Sequence, residues 1–285
     1  MNDEPSRPLD AQALALFAAK GNVPGMAVPQ SGEANGLKVR RILQLTRDLV
    51  GGPLAGVRLL DLGCGEGVYA IEAALHGADV LAIDARDARM AAGAACAARH
   101  GLGNVRFVRE DVRGVGLATH GSFRVIYLLG LLYHLDASDV FQVLAQLRRL
   151  CTGFLLVDTL VATHPATTVD WEGRSYEGER VREHADDDAP AVRAQRVLRS
   201  IDNAHAFRFT RPALLRVLRD VGFTTVLECH VPLEPGKADD RVTLAAFAGH
   251  PVSLATYPWV NGASDAELAR RARAGGDTDP PAERA

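Results

Sequence analysis

The sequence predicts an α/β fold, a doubly wound and mostly parallel sheet flanked by helices. Between residues 57 and 158, short apolar runs alternate with helical patterns, the signature of successive strand-helix-strand units. The links between these segments are short, as such units require. The first unit runs through residues 59–70, LLDLGCGEGVYA, where Gly63, Gly65 and Gly67 at alternate positions make a tight turn between strand and helix.

The elements follow in order. Residues up to Arg7 read as a tether, and 9–20 as an Ala/Leu-rich helix ended by Gly21 and Pro24. A Gly/Pro-rich link precedes helical spacing over 37–50, through Leu37, Arg41, Leu45 and Leu49; Lys38, Arg40, Arg41 and Arg47 decorate it as a solvated face. Strand 57–62 leads into helix 68–76, strand 78–84 into an Ala-rich helix over 88–100 closed by Gly101, and strand 104–109 follows. Strand 123–129, helix 137–150 with Val140, Leu144 and Leu147 on one side, and strand 153–158 complete the rhythm. Right-handed crossovers then place the C-terminal ends of these strands along one edge of the sheet.

The rhythm breaks over 159–209. This stretch is charge-dense, with Asp186, Asp187 and Asp188 in a row, and holds the aromatic residues Trp171, Tyr176 and Phe207. It reads as an inserted lid with some core of its own. Residues 210–221 return to a helix, with Thr210 as N-cap, Pro212 in the first turn and Gly222 as the stop. Segments 224–231 and 241–248 read as a closing hairpin that adds an antiparallel strand to the sheet. The expected organisation is therefore an N-terminal helical cap over 1–52, the sheet domain over 53–250 with a cap insertion at 159–209, and a C-terminal tail over 251–285.

Composition narrows the function. A net charge of -3 and a pI of 6.3 leave no global basic field to draw in nucleic acid, and the triple acid would repel phosphate. The four cysteines, Cys64, Cys96, Cys151 and Cys229, lie far apart with no zinc-type spacing, so reduced thiols and no metal are expected. No run approaches the roughly 20 apolar residues of a membrane span. The acidic, Pro-containing N-terminus is unlike a signal peptide. A cytoplasmic monomer or homodimer acting on a small molecule is the expectation.

Glycine lets the turn adopt positive φ and lets a ligand approach the backbone, while the helix start offers unpaired N–H groups. Asp61 stands directly before the turn, where a carboxylate opposes a pyrophosphate but suits the ammonium or hydroxyls of a zwitterionic nucleoside. Asp84 closes the second strand, at the distance where an acid accepts from both ribose hydroxyls; it is also placed to cap the next helix. Asp111 follows the third strand on the same edge, where its carboxylate can accept from an adenine amino group and the Val112 N–H can meet a ring nitrogen.

These segments together, LLDLGCGEG, VLAID and REDV, with YLLGLLYHL after the fourth strand, resemble the cofactor motifs of class I S-adenosylmethionine-dependent methyltransferases, small-molecule type. The resemblance covers about residues 57–158. It implies a seven-stranded Rossmann-like sheet with the last strand antiparallel, S-adenosyl-L-methionine as cofactor and S-adenosyl-L-homocysteine as product. It also implies that Asp61, Gly63, Gly65 and Gly67 border the methionine part, Asp84 with Ala85 takes the ribose, Asp111 and Val112 take the adenine, and the backbone at Leu129 and Gly130 faces the methionine amino group. His134 is the strongest base candidate because its titration range suits proton transfer, with a packing or helix-capping role as the other reading. Tyr133 stands equally as substrate wall or packing. Asp158 and His164 are weaker candidates at the same edge, Tyr176 and His205 lie in the insertion, which can fold over the acceptor pocket, and Lys38 or Arg40 can meet the cofactor carboxylate if their helix covers the site. Methyl transfer to a hydroxyl or carboxylate oxygen is the expected chemistry. A wobble-uridine-type tRNA methyltransferase, suggested by LLYHL, and a non-catalytic cofactor-binding module are the alternatives.

Overall fold

Parallel strands buried on both faces need long apolar runs, and the central strands have them: the burial of β1 (Arg58–Leu62) and β2 (Asp79–Asp84) is complete after their first residue. The structure, a computed structural model, describes residues 31–196, 198–229, 240–252 and 270. A seven-stranded sheet runs in the order β3 (Val105–Arg109), β2, β1, β4 (Phe123–Leu129), β5 (Cys151–Leu160), β10 (Arg241–Phe247), β9 (Thr225–Glu228). Neighbours from β3 to β5 pair parallel; β10 is antiparallel to both β5 and β9. The last strand is thus the antiparallel one, as expected.

Alternating side chains divide the core between the two faces. On one face Leu60, Leu62, Ile126, Leu128, Leu155 and Val157 pack with α5 (Ala137–Leu150) and α7 (Arg211–Asp220). On the other, Leu59, Val80, Val125, Tyr127 and Leu156 pack with α2 (Val68–Leu75) and with Ile42 and Leu43 of α1 (Ser31–Val50). Tyr127 is anchored by a 2.7 Å hydrogen bond between its hydroxyl and that of Thr46. The small Ala70, Ala73 and Ala74 let α2 sit close to the sheet. Helix α3 (Asp87–Arg99) completes the second crossover, and the four-residue α4 (Leu117–His120) precedes β4.

Segment 159–209 folds as a second, three-stranded antiparallel sheet of β6 (Thr167–Trp171), β7 (Arg174–Arg182) and β8 (His205–Phe209), with the short α6 (Pro190–Gln195) between the last two. Its aromatic residues do not form a separate core. Tyr176, Phe207 and Phe209 are buried in the same cluster as Leu144 and Val217, and the Tyr176 hydroxyl donates to Asp220 at 2.7 Å. Trp171 stacks on Phe141 at 4.9 Å between ring centroids. A backbone hydrogen bond from Phe207 N to Leu135 O, 2.9 Å, joins this sheet to the turn after β4.

All these elements lie within residues 1–251. The helix expected over 9–20, the tether before it and almost all of the tail expected over 251–285 lie outside the described residues. No helix among the described residues is long and apolar enough to cross a membrane.

Candidate functional site

The strand ends meet as parallel crossovers require. β1 ends in a turn whose three glycines all have positive φ: 74° at Gly63, 57° at Gly65 and 73° at Gly67. At Gly67 a side chain is doubly excluded, since a Cβ there would lie 2.2 Å from the Phe107 ring. Side chains rarely tolerate that backbone region, and the close packing removes any room to relax. The turn is tied to β2 by Gly63 N and Cys64 N, both donating to Ile83 O at 2.8 and 3.0 Å. Burial first, then the Asp61 and Asp84 carboxylates, pushes the Cys64 thiol up, so it packs as an uncharged group.

Asp84, 7% exposed, is held by two backbone donors: Gly65 N to Oδ2 and Arg86 N to Oδ1, each 2.9 Å. Each oxygen retains a lone pair. Asp111 is engaged more heavily. Its Oδ1 accepts from Arg113 N and Nε at 2.9 Å and its Oδ2 from Arg113 Nη2 at 2.6 Å. Those Arg113 hydrogen bonds outweigh partial burial and hold the Asp111 carboxyl below its usual range. Arg113 continues to Asp139 at 3.2 Å and to Asp202 at 2.6 Å, while Arg86 donates to the carbonyls of Ala194, Arg196, Arg199 and Ser200. Two arginines, each two residues beyond a strand-end acid, thereby bind the insertion to the strand edge.

Between these groups lies a cavity of about 280 Å³. Gly63, Asp84, Ala85, Asp111, Val112, Leu129, Gly130, Tyr133 and His134 all line it. Asp61, Gly65 and Gly67 do not: Asp61 is buried in β1 at 2% exposure, and the two glycines shape the turn. Lys38 of α1 lines the cavity and Arg40 does not. Tyr69, Arg241 and the wall at Ser200 and Asp202 also line it; no motif marks them, because they come from remote segments whose meeting depends on the fold. Asp158 sits behind the wall, 1% exposed, accepting from Lys38 Nζ at 2.8 Å, Arg241 Nε at 2.6 Å and Thr243 Oγ1 at 2.9 Å. Burial works against its ionisation, but Lys38 and Arg241 prevail and hold its carboxyl below the usual range. His164, Tyr176 and His205 are not among the cavity-lining residues.

His134 closes the short 3-10 turn Leu132–His134 after β4. Its Nδ1 lies 3.1 Å from Glu183 Oε2, and the Tyr133 ring is 4.4 Å from its own, centroid to centroid. Glu183 is 5% exposed and also accepts from Ser200 N at 2.7 Å. Burial alone would raise the Glu183 carboxyl; His134, the Ser200 N–H and Arg199 outweigh it and lower it.

The donor set fits a zwitterionic nucleoside. Asp84 is fixed with free lone pairs for vicinal hydroxyls, Val112 adjoins the Asp111 acid, and the cations Lys38 and Arg241 lie on the same wall as Gly130.

Comparison with known proteins gives a sequence match to one segment and a shared fold. Residues 59–152 match a family model described as a methyltransferase domain. The ubiquinone biosynthesis O-methyltransferase of Acinetobacter baumannii (strain AYE) is 34% identical over 83 residues, 29% of this chain and 35% of that protein. The chain therefore matches about a third of the length of this curated relative. The N-terminal domain of EvdMO1, solved with SAH and D-fucose, aligns at 20% identity and TM-score 0.60 over 74% of this chain and 82% of its own. Magnesium protoporphyrin IX methyltransferase from Synechocystis PCC 6803, with bound SAH, aligns at 15% identity and TM-score 0.53, covering 84% and 93%. The 1,6-didemethyltoxoflavin-N1-methyltransferase of Burkholderia thailandensis aligns at 19% identity and TM-score 0.54, covering 88% and 94%. At such identities the structural likeness is one of fold. Residues 59–152 thus match a methyltransferase domain in sequence, and the whole sheet shares the Rossmann-like fold of these methyltransferases.

Proposed function

We propose that this protein transfers a methyl group from S-adenosylmethionine to an oxygen of a small-molecule acceptor, with His134 as general base. The observation that carries this reading is the position of His134 on the wall of the cavity that also presents Gly63, Asp84, Asp111 and Gly130. When bound, the cofactor supplies a methyl group already activated on a sulfonium, so the protein's work is placement. In this reading Asp84 takes the ribose hydroxyls, Asp111 and Val112 face the adenine, and Lys38 with Arg241 faces the methionine carboxylate. Segment 159–209 acts as a cap whose wall at Ser200 and Asp202 limits the acceptor to a small molecule. His134 removes the hydroxyl proton as the oxygen attacks, a contribution typically worth about 10²–10⁴ in rate.

Oxygen as acceptor is supported by that base and by the partial likeness to an enzyme named as an O-methyltransferase. The test is release of S-adenosylhomocysteine against a panel of phenols, sugars, carboxylic acids and amines. A hydroxyl substrate whose turnover falls by about 10²-fold or more in His134→Ala supports the proposal. Turnover confined to amines, or a His134→Ala enzyme as fast as wild type, overturns it.

A further inference from the structure

We propose that Glu183 is the positioning residue for His134, fixing which ring nitrogen faces the acceptor; the proposal rests on His134 being the base. Glu183 sits in the turn after β7, 49 positions from His134, and its role is visible only in the folded chain.

The carboxylate is nearly sealed from water, at 5% exposure. Charged groups are retained in such places when their hydrogen bonds are satisfied, and Glu183 has two partners. His134 Nδ1 lies 3.2 and 3.1 Å from its two oxygens, and Ser200 N donates to Oε2 at 2.7 Å. An ionised carboxylate accepts and cannot donate, so Nδ1 must carry the proton. In the neutral ring the other nitrogen, Nε2, is then the acceptor, the form a general base requires. Nε2 has no hydrogen bond to any described residue.

The neighbourhood supports one orientation. Ring rotation is limited by Tyr133, 4.4 Å away between centroids and tilted by 50°. The Glu183 main chain is itself held, with Glu183 N donating to Ala204 O at 2.9 Å. Arg199 is the charged group that faces Glu183 besides His134, and its guanidinium donates to Arg182 O at 3.2 Å. Ser200 is held in place independently: Arg86 and His184 Nε2 both bond its carbonyl, at 3.3 and 2.8 Å. The N–H that orients Glu183 thus belongs to the cavity wall supplied by the insertion. In this arrangement the wall that confines the acceptor also sets the tautomer of the base.

Substitution by glutamine makes a sharp test because Ser200 N–H must still find an oxygen. The amide oxygen of Glu183→Gln turns to Ser200, and its NH₂ faces His134 Nδ1, which must then accept. The proton moves to Nε2 and the basic nitrogen turns away from the cavity.

The experiment uses full-length protein labelled with 15N-histidine, with S-adenosylhomocysteine added, and reads the ring nitrogen shifts of His134, assigned by their loss in His134→Asn. The expected result is a neutral ring protonated at Nδ1 in wild type, inverted to Nε2 in Glu183→Gln and returned toward Nδ1 in Glu183→Asp. A wild-type ring protonated mainly at Nε2, or an unchanged tautomer in Glu183→Gln, overturns the proposal. Should Glu183→Gln fail to fold, the wild-type and Glu183→Asp spectra decide. Binding of S-adenosylhomocysteine, measured on the same samples, separates the two levels of inference: lost binding in wild type defeats the methyl-transfer reading, whereas a wrong tautomer with intact binding defeats the role of Glu183 alone.

Discussion

At the scale of the residue, the strand-end acids differ in how much of each carboxylate is still available. Asp84 accepts one backbone N–H on each oxygen, which aims it without saturating it. Asp111 spends most of its capacity on Arg113. The larger share of cofactor affinity should therefore reside in Asp84. Asp84→Ala removes charged hydrogen bonds worth about 1.5–3 kcal/mol each and also orphans Gly65 N–H. Its dissociation constant for S-adenosylhomocysteine, measured by titration calorimetry, should rise at least tenfold. Asp111→Ala should weaken binding less, since Arg113 is then freed from the carboxylate it now neutralises. An Asp84→Ala protein with wild-type affinity would remove the ribose assignment.

At the scale of the element, much of the fold could be read in advance because period and punctuation agree. The segment 137–150 reads as a helix from its apolar spacing, and the structure gives Ala137–Leu150, started by Asp136 accepting from Ala137 N at 2.8 Å. The strand over 123–129 is likewise Phe123–Leu129. Helix α1 and the sheet of the insertion departed from expectation for physical reasons. Helix α1 begins at Ser31 rather than Leu37, because Gly32 and Gly36, each costing about 1 kcal/mol relative to Ala, read as linker. The sheet of the insertion was hidden because β6 and β7 are mostly exposed and carry Arg, Glu and Asp, so little alternation marks them. The cavity follows the same division: its strand-end residues are local to motifs, whereas Glu183, Ser200 and Arg241 join it through tertiary contacts that no spacing encodes. Punctuation also gives a quantitative expectation for α7. Thr210 Oγ1 accepts from Ala213 N at 3.3 Å, with Pro212 in the first turn. Thr210→Ala should cost about 1 kcal/mol, read as a lowered denaturant midpoint with unchanged slope; an unchanged midpoint would show that packing of Leu214 and Val217 suffices to start the helix.

At the scale of the whole molecule, Asp158 joins elements that are distant in the chain. Its carboxylate on β5 binds Lys38 of α1 and Arg241 and Thr243 of β10, so the helix over the sheet and the antiparallel strand are secured by one buried acid. Removing one member of a buried pair costs about 3–5 kcal/mol because the remaining charge stays desolvated. Here Lys38 and Arg241 keep 23% and 21% of their side-chain surface exposed, which puts Asp158→Asn near the lower end, about 3 kcal/mol. The sign of the pH dependence follows from the lowered carboxyl. A group whose folded value is depressed stabilises the protein above its unfolded value, 3.8, and loses that contribution as pH falls toward the folded value. The gap between wild type and Asp158→Asn should thus stay constant from neutral pH down to about 4 and narrow below it. Denaturant unfolding of both proteins across that range measures it. A gap that widens as the solution is acidified would mean that Asp158 is protonated in the native state, and that Lys38 and Arg241 do not hold it as an anion.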